Sequence, residues 1–279
     1  MKRASGGMPP TRALGTFVRC GNCAQALCHT LNRAFDDPLI DEEHACIPLA
    51  GGILENGYQC GMVWGSTLAA GARAYRLFGP GPQAEAKAMA AAQSVVESFR
   101  ARQKSIDCFD VIGTNWKTAT TAQIAGMLLK GGAVGCFRMS ASYPPVAFAG
   151  INAALSGGAG EAPPTPVSCA ALLARKMGAS DAHTVMVAGF AGGVGLSGGA
   201  CGALGAAVWL NAVKTLQEGG KVRLDFPAGQ EAIERFVECI ESEFECATIV
   251  GRKFESIDDH AAYVCGGGCS KLIDALAAS

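Results

Sequence analysis

AGGILENGYQCG, residues 50–61, lies over AGGVGLSGGACG, residues 191–202, without a gap. Half of the positions are identical: Ala50/Ala191, Gly51/Gly192, Gly52/Gly193, Gly57/Gly198, Cys60/Cys201 and Gly61/Gly202. Such self-similarity marks a duplicated unit, so the fold is read as two copies of one module. Working outward, IDCFDVIG (106–113) lies over FECATIVG (244–251), pairing Cys108 with Cys246 and Gly113 with Gly251. The intervals agree, with 48 residues from Cys60 to Cys108 and 45 from Cys201 to Cys246. Upstream, NCAQAL (22–27) resembles SCAALL (168–173) and pairs Cys23 with Cys169; downstream, GGAVGC ending at Cys136 resembles CGGGC ending at Cys269. Each half thus carries four cysteines in one order: Cys23, Cys60, Cys108 and Cys136, then Cys169, Cys201, Cys246 and Cys269. Cys20, Cys28, Cys46, Cys239 and Cys265 have no counterpart.

The segment SGGAGEAPPTP (156–166) continues neither helix nor strand, which makes it a linker and sets the boundary at residue 158. This gives modules 1–158 and 159–279. Within them the pattern is helical. In QEAIERFVECIESEFECATIV, Ile233, Phe236, Val237, Ile240, Phe244 and Ala247 recur at steps of three and four, the period of one helix face. EAKAMAAAQSVVESFRARQ is rich in helix formers and comes just after Pro82, a residue suited to a helix start. CAQALCHTLNRAF, CAALLARKM and KLIDALAAS also read as helices. The expectation is an all-α protein of two similar helical bundles packed together.

The second glycine stretch contains a G-x-G-x-x-G string (Gly193, Gly195, Gly198), which in a dinucleotide fold would cradle a pyrophosphate. The repeat argues against this, because Leu54 faces the middle glycine, Gly195. It argues equally against a membrane span, because the matching stretch holds Glu55, Asn56 and Gln59. A tight, buried turn between two helices accounts for the glycines. A net charge of −1 gives no field to gather nucleic acid or an anionic membrane, so neither partner is expected. The N-terminal stretch lacks the apolar run of a secretory signal, so a cytoplasmic location is expected. There thiols stay reduced, and the odd count of 13 cysteines could not pair completely.

CGNCAQAL, the Gly-Gly stretch before CGAL (201–204), ECATIVG and GGCSKLIDALA resemble the redox-active family named for the pattern C_GCAxxG_C_C, twice along the chain. The first half departs at Met62 and Val63 and around FRMSASYPPV. A similar module occurs in split-Soret-type cytochromes, where it accompanies a non-haem iron–sulfur centre. The resemblance implies redox activity and such a centre. The residue after Cys23 is Ala24, so C-x-x-C-H is absent and covalent haem is not expected.

Thiolates are soft ligands for iron–sulfur clusters or tetrahedral zinc, and four complete either shell. Gly61 and Gly202, beside two of these thiols, would let backbone N–H groups approach the sulfurs and tune a potential. The four are dispersed, and they converge only if the fold brings helix ends together. A metal-free alternative is a dithiol couple, with Cys20 and Cys23 as a C-x-x-C pair at a helix start. A third is a structural or zinc-binding helical protein with a self-complementary interface, homo-oligomeric or not. His44 and His183 precede the two Gly-Gly stretches by seven and nine residues and read as ligand or surface residues, whereas nothing distinguishes His29 and His260. No H-E-x-x-H, Walker loop or Ser-His-Asp order appears. The leading expectation is electron transfer with an unidentified redox partner; whether the protein is an enzyme stays open.

Overall fold

The computed structural model describes residues 10–114, 117, 119–120, 132–157, 168–240 and 243–278. Among these residues the chain forms α-helices, one 3₁₀-helix and no strands. Of the expected linker, Ser156 ends a helix and Gly157 follows it, while residues 158–166, with the boundary at 158, lie outside the described residues. The first module contains α1 (Pro10–Cys20), α2 (Cys23–Ala34), α3 (Ile40–His44), a 3₁₀-helix at Ile47–Leu49, α4 (Gly61–Phe78), α5 (Pro82–Gln103), α6 (Cys108–Ile112), α7 (Gly132–Ser142) and α8 (Pro144–Ser156). The second contains α9 (Cys169–Lys176), α10 (Asp181–Ala188), α11 (Gly202–Gln217), α12 (Pro227–Cys239), α13 (Cys246–Val250), α14 (Ile257–Cys265) and α15 (Ser270–Ala277).

The duplication is visible in how helices begin and end. Asn22 caps α2 by accepting from the Gln25 amide, and Ser168 caps α9 by accepting from the Ala171 amide. Proline opens α5 and α12, where a missing N–H costs no bond. Gly113 and Gly251, both left-handed, end α6 and α13. One expected helix is broken. The apolar period over residues 230–250 predicts a continuous helix, but α12 ends at Cys239 and Ile240 leaves the helical region (φ −141°), so Phe244 and Ala247 stand outside it. The reason lies in tertiary packing: Phe244 stacks on Tyr58 with ring centroids 4.8 Å apart, and its carbonyl accepts from the Cys201 amide at 2.7 Å.

The duplicated stretch folds into an unusual turn. Residues 51–55 and 192–196 all have positive φ, including Ile53, Leu54, Glu55, Val194 and Leu196, and Gly57 and Gly198 repeat the sign. Each is a single left-handed helical turn, a conformation that costs roughly 1–2 kcal/mol per L-residue. Closing bonds hold it: the Leu54 amide donates to the Pro48 carbonyl (2.6 Å) and the Gly57 amide to Gly51 (2.9 Å), matched by Gly195 to Gly189 and Gly198 to Gly192 (both 2.9 Å). Burial adds to this, since Ile53, Leu54, Val194 and Leu196 are core residues. The G-x-G-x-x-G string therefore lies in a turn between α10 and α11, with no strand before it.

The bundles interlock. Helix α10 packs on α4 of the other module, close enough that a Cβ on Gly71 would lie 2.5 Å from Met186 Cα, while α3 and the 3₁₀-helix pack on α11. This exchange gives the chain the reciprocal contacts of a symmetric dimer. Equivalent residues meet on the pseudo-axis. Gln59 Nε2 donates to the carbonyls of Gly193 (3.0 Å) and Ala200 (3.4 Å), and Ala200 is the residue that repeats Gln59. The Trp64 ring lies against Gly205, its own repeat position, where an added Cβ would come within 2.5 Å of the ring.

Glu42 ties the modules together polarly. Its carboxylate meets His183 Nε2 at 3.0 Å, and its carbonyl accepts from Trp209 Nε1 at 3.2 Å. His183 is buried here and stacks edge-on against Trp209 rather than binding at a surface, while His44 is exposed. The hydrogen bond to His183 holds the Glu42 carboxyl below its ordinary value of 4.5, against the opposing effect of burial. A lowered folded-state pKa means that the stability Glu42 supplies is present above that ordinary value and is lost as pH falls through the lowered one. Thermal melts are therefore expected to fall below about pH 4.5 in the native protein, and Glu42→Gln should flatten that part of the curve.

Candidate metal centre

Helix starts gather the second set of thiols. Cys169 is the first residue of α9, Cys201 precedes α11, Cys246 is the first residue of α13, and Cys269 precedes α15 in a left-handed conformation (φ 60°). All four line one small, almost wholly apolar cavity, walled by Ile249, Val250, Phe254, Val264 and Leu272, with His260 and Tyr263 at its side. Helix N-termini carry partial positive charge and unpaired amides, so the cavity receives several electropositive ends. Their amides reach sulfur: Gly192, Cys169 and Ala170 donate to Cys169, and Ala203 and Leu204 donate to Cys201.

The first set repeats this arrangement at three of four positions. Cys23 opens α2, Cys60 precedes α4 and Cys108 opens α6, while Cys136 lies within α7. Cys23, Cys108 and Cys136 each add to the rise of the Cys60 thiol. Cys23 and Cys60 hydrogen-bond to each other, and Cys23 also accepts from the amides of Gly51, Cys23 and Ala24. Gly51 and Gly192 thus do the same job in the two modules: the first residue of each left-handed turn points its N–H at the first cysteine. Adjacency in the sequence points instead to Gly61 and Gly202 for that task. A Cβ on Gly61 would come within 2.6 Å of Cys23 Sγ, so this glycine gives the sulfur room; Gly202 instead packs on the Phe190 carbonyl.

Electrostatics describe sulfurs held neutral by their surroundings. Burial, reinforced by neighbouring sulfurs, pushes Cys201 up to about 12 and Cys269 to about 11, and raises Cys246 further. Burial also raises Cys169, against the amides that favour its thiolate. In the first set Cys136 rises to about 11 through burial and then Cys23. The hydrogen bond with Cys60 lowers Cys23 and raises Cys60, so this pair gives up its first proton at Cys23. A thiol raised by burial is a weak nucleophile; a cation in the same cavity would reverse this by deprotonating it outright. Among the described residues no group of three or more His, Cys, Asp or Glu side chains closes to the spacing of ligands on one ion. The sulfurs line a common space without clasping a common point.

The unmatched cysteines lie elsewhere. Cys239 and Cys265 are exposed. Cys20 ends α1 rather than starting a helix, and burial pushes its thiol up, while Cys28 and Cys46 are wholly buried. His260 and Tyr263, beside the second set, carry no signal in the sequence; the identical Gly-Gly pair is the signal available for Gly51 and Gly192.

A family model described as "Putative redox-active protein (C_GCAxxG_C_C)" matches residues 21–140 and again residues 167–279. The chain belongs to the C_GCAxxG_C_C family. Each match in this C_GCAxxG_C_C protein encloses one complete set of four cysteines, and the two matches confirm the tandem duplication. No curated protein and no solved structure matches it. Among the described residues of the C_GCAxxG_C_C protein, no helix is long and apolar enough to cross a membrane.

Proposed function

We propose that the protein carries electrons through iron–sulfur centres, one held by Cys169, Cys201, Cys246 and Cys269 and a second by Cys23, Cys60, Cys108 and Cys136. The observation that carries this reading is the shared cavity: four thiols, brought together from sites up to 100 residues apart, face one enclosed space. The donor set fits the group. Four soft thiolates complete a cluster shell, and amides aimed at Cys23 and Cys169 are the donors that stabilise sulfur-borne negative charge. Tetrahedral zinc needs every sulfur about 2.3 Å from one point, whereas in a four-iron cluster each thiolate meets a different iron. The four thiols of the second set share one cavity, as a cluster shell requires. When bound, a cluster supplies one-electron chemistry at a potential set by burial and by hydrogen bonds to sulfur. The chain supplies the rest: apolar walls that exclude water, helix ends that favour thiolate, and rigid turns that fix the amide donors. A cytoplasmic location and exchange with a redox partner belong to the same proposal.

Anaerobic purification followed by iron and sulfide analysis and visible spectroscopy tests it. Iron with matching acid-labile sulfide and a brown colour is expected. A colourless protein with stoichiometric zinc overturns it.

A second reading has its own observation in the first module, where Cys23 and Cys60 hydrogen-bond and Cys23 is the more acidic. Without metal, this pair would cycle between dithiol and disulfide. Alkylation mapping across a thiol redox gradient would then show a two-electron Cys23–Cys60 couple, and iron bound in this module rules it out.

A further inference from the structure

The two thiol sets come closest at the pseudo-axis. In each module a short backbone pairing holds two of the cysteines side by side. The Cys60 amide donates to the Ile106 carbonyl and the Cys108 amide to the Tyr58 carbonyl (both 2.6 Å), matched by Cys201 to Phe244 and Cys246 to Gly199 (both 2.7 Å). Cys23 Sγ lies beside Gly61, the residue after Cys60. Two side-chain bridges join these pairings across the modules. In the first, Gln59, wholly buried and next to Cys60, donates from Nε2 to the carbonyl of Ala200 (3.4 Å), which is next to Cys201. The same amide lies against Gly199, whose carbonyl holds the Cys246 amide, so closely that a Cβ there has no room. In the second bridge the rings of Tyr58 and Phe244 stack, with centroids 4.8 Å apart and 17° between their planes. The Tyr58 carbonyl holds the Cys108 amide and the Phe244 carbonyl holds the Cys201 amide. A module's own fold does not call for these side chains: Gly199, Ala200 and Ile106 stand at the positions of Tyr58, Gln59 and Phe244 in the other copy.

We propose that electrons pass directly between the two thiol-held centres across this contact, through Gln59 and the Tyr58–Phe244 stack, so that the chain works as one two-electron unit. The inference rests on the iron–sulfur reading of both sets. Electron tunnelling decays exponentially with distance and runs faster through bonded and hydrogen-bonded atoms than across gaps. Between Cys60 and Cys201 the path is covalent except for the single hydrogen bond from Gln59 to Ala200. Between Cys108 and Cys201 it crosses two short backbone hydrogen bonds and one ring stack. Each transfer oxidises one centre by one electron and reduces the other by one, with no bond made or broken and no outside reactant. An electron that enters at either module reaches the other without a second encounter with a partner.

The test is electron paramagnetic resonance of anaerobically purified full-length protein, fully reduced with dithionite, beside Cys60→Ser and Cys201→Ser as single-centre references. A wild-type spectrum that is split and relaxes faster than the sum of the two references is expected, because paramagnetic centres this close couple. At full iron loading, a wild-type spectrum equal to that sum overturns the proposal and leaves the cluster reading standing. Iron in one module alone also overturns the proposal, and absence of iron overturns both. The route is tested by pulse radiolysis that delivers less than one electron per chain. A first-order redistribution phase, independent of protein concentration and missing from both single-centre references, is expected. Phe244→Leu and Gln59→Leu should each slow this phase several-fold while the spin coupling persists, a separation that a merely structural role would not produce. An unchanged phase in both variants overturns the route.

Discussion

Cys201→Ser and Cys246→Ser are each expected to abolish metal binding in the second module, while Cys239→Ser leaves it unchanged. The two matched thiols line the same cavity from the starts of different helices, whereas Cys239 is exposed at the end of α12. Loss of an outer partner of a metal ligand already costs roughly 10–100-fold in affinity, and loss of a ligand costs more, so occupancy at this site should fall by more than about 100-fold. Because the first module keeps its own set, iron per chain should fall to roughly half, and Cys60→Ser should remove the other half. Iron and sulfide analysis of the four variants beside wild type decides the matter. Equal losses from Cys201→Ser, Cys246→Ser and Cys239→Ser would assign these thiols to packing. Far-UV circular dichroism keeps misfolding apart from ligand loss.

Gly52→Ala and Gly193→Ala are each expected to be strongly destabilising. At both positions φ is positive (79° and 76°), and the added Cβ would meet backbone six residues on: Tyr58 N at 2.3 Å and the Gly199 carbonyl oxygen at 2.3 Å. The conformational strain is worth about 1–3 kcal/mol and overpacking against backbone about as much again. A total of roughly 2–6 kcal/mol is a large share of the roughly 5–15 kcal/mol typical of a folded protein. Chemical denaturation measures it, and Gly15→Ala is the contrast, because nothing lies within 4 Å of a Cβ there. A loss below about 1 kcal/mol at both sites would mean that the two turns are not rigid.

The duplication and the helical class were legible because they depend on residue type at fixed spacing. What could not be read depends on three-dimensional context. Ile53 and Val194, β-branched, hold a left-handed conformation that local preference forbids; their burial and the bonds closing the turn impose it. The end of α12 was hidden because Phe244 continues the helical period while packing on Tyr58 from the other module. Glycine beside cysteine suggested Gly61 and Gly202 as amide donors, whereas the amides of Gly51 and Gly192, ten residues earlier in each copy, are brought to Cys23 and Cys169 by the folding of the turn.

The indole of Trp64 seated on Gly205 carries a historical consequence. Two identical copies of the first half, assembled in the same way, would bring two large rings into the space that now holds one, and two copies of the second would leave that space unfilled. The asymmetry at this one pair makes the two halves complementary here rather than interchangeable.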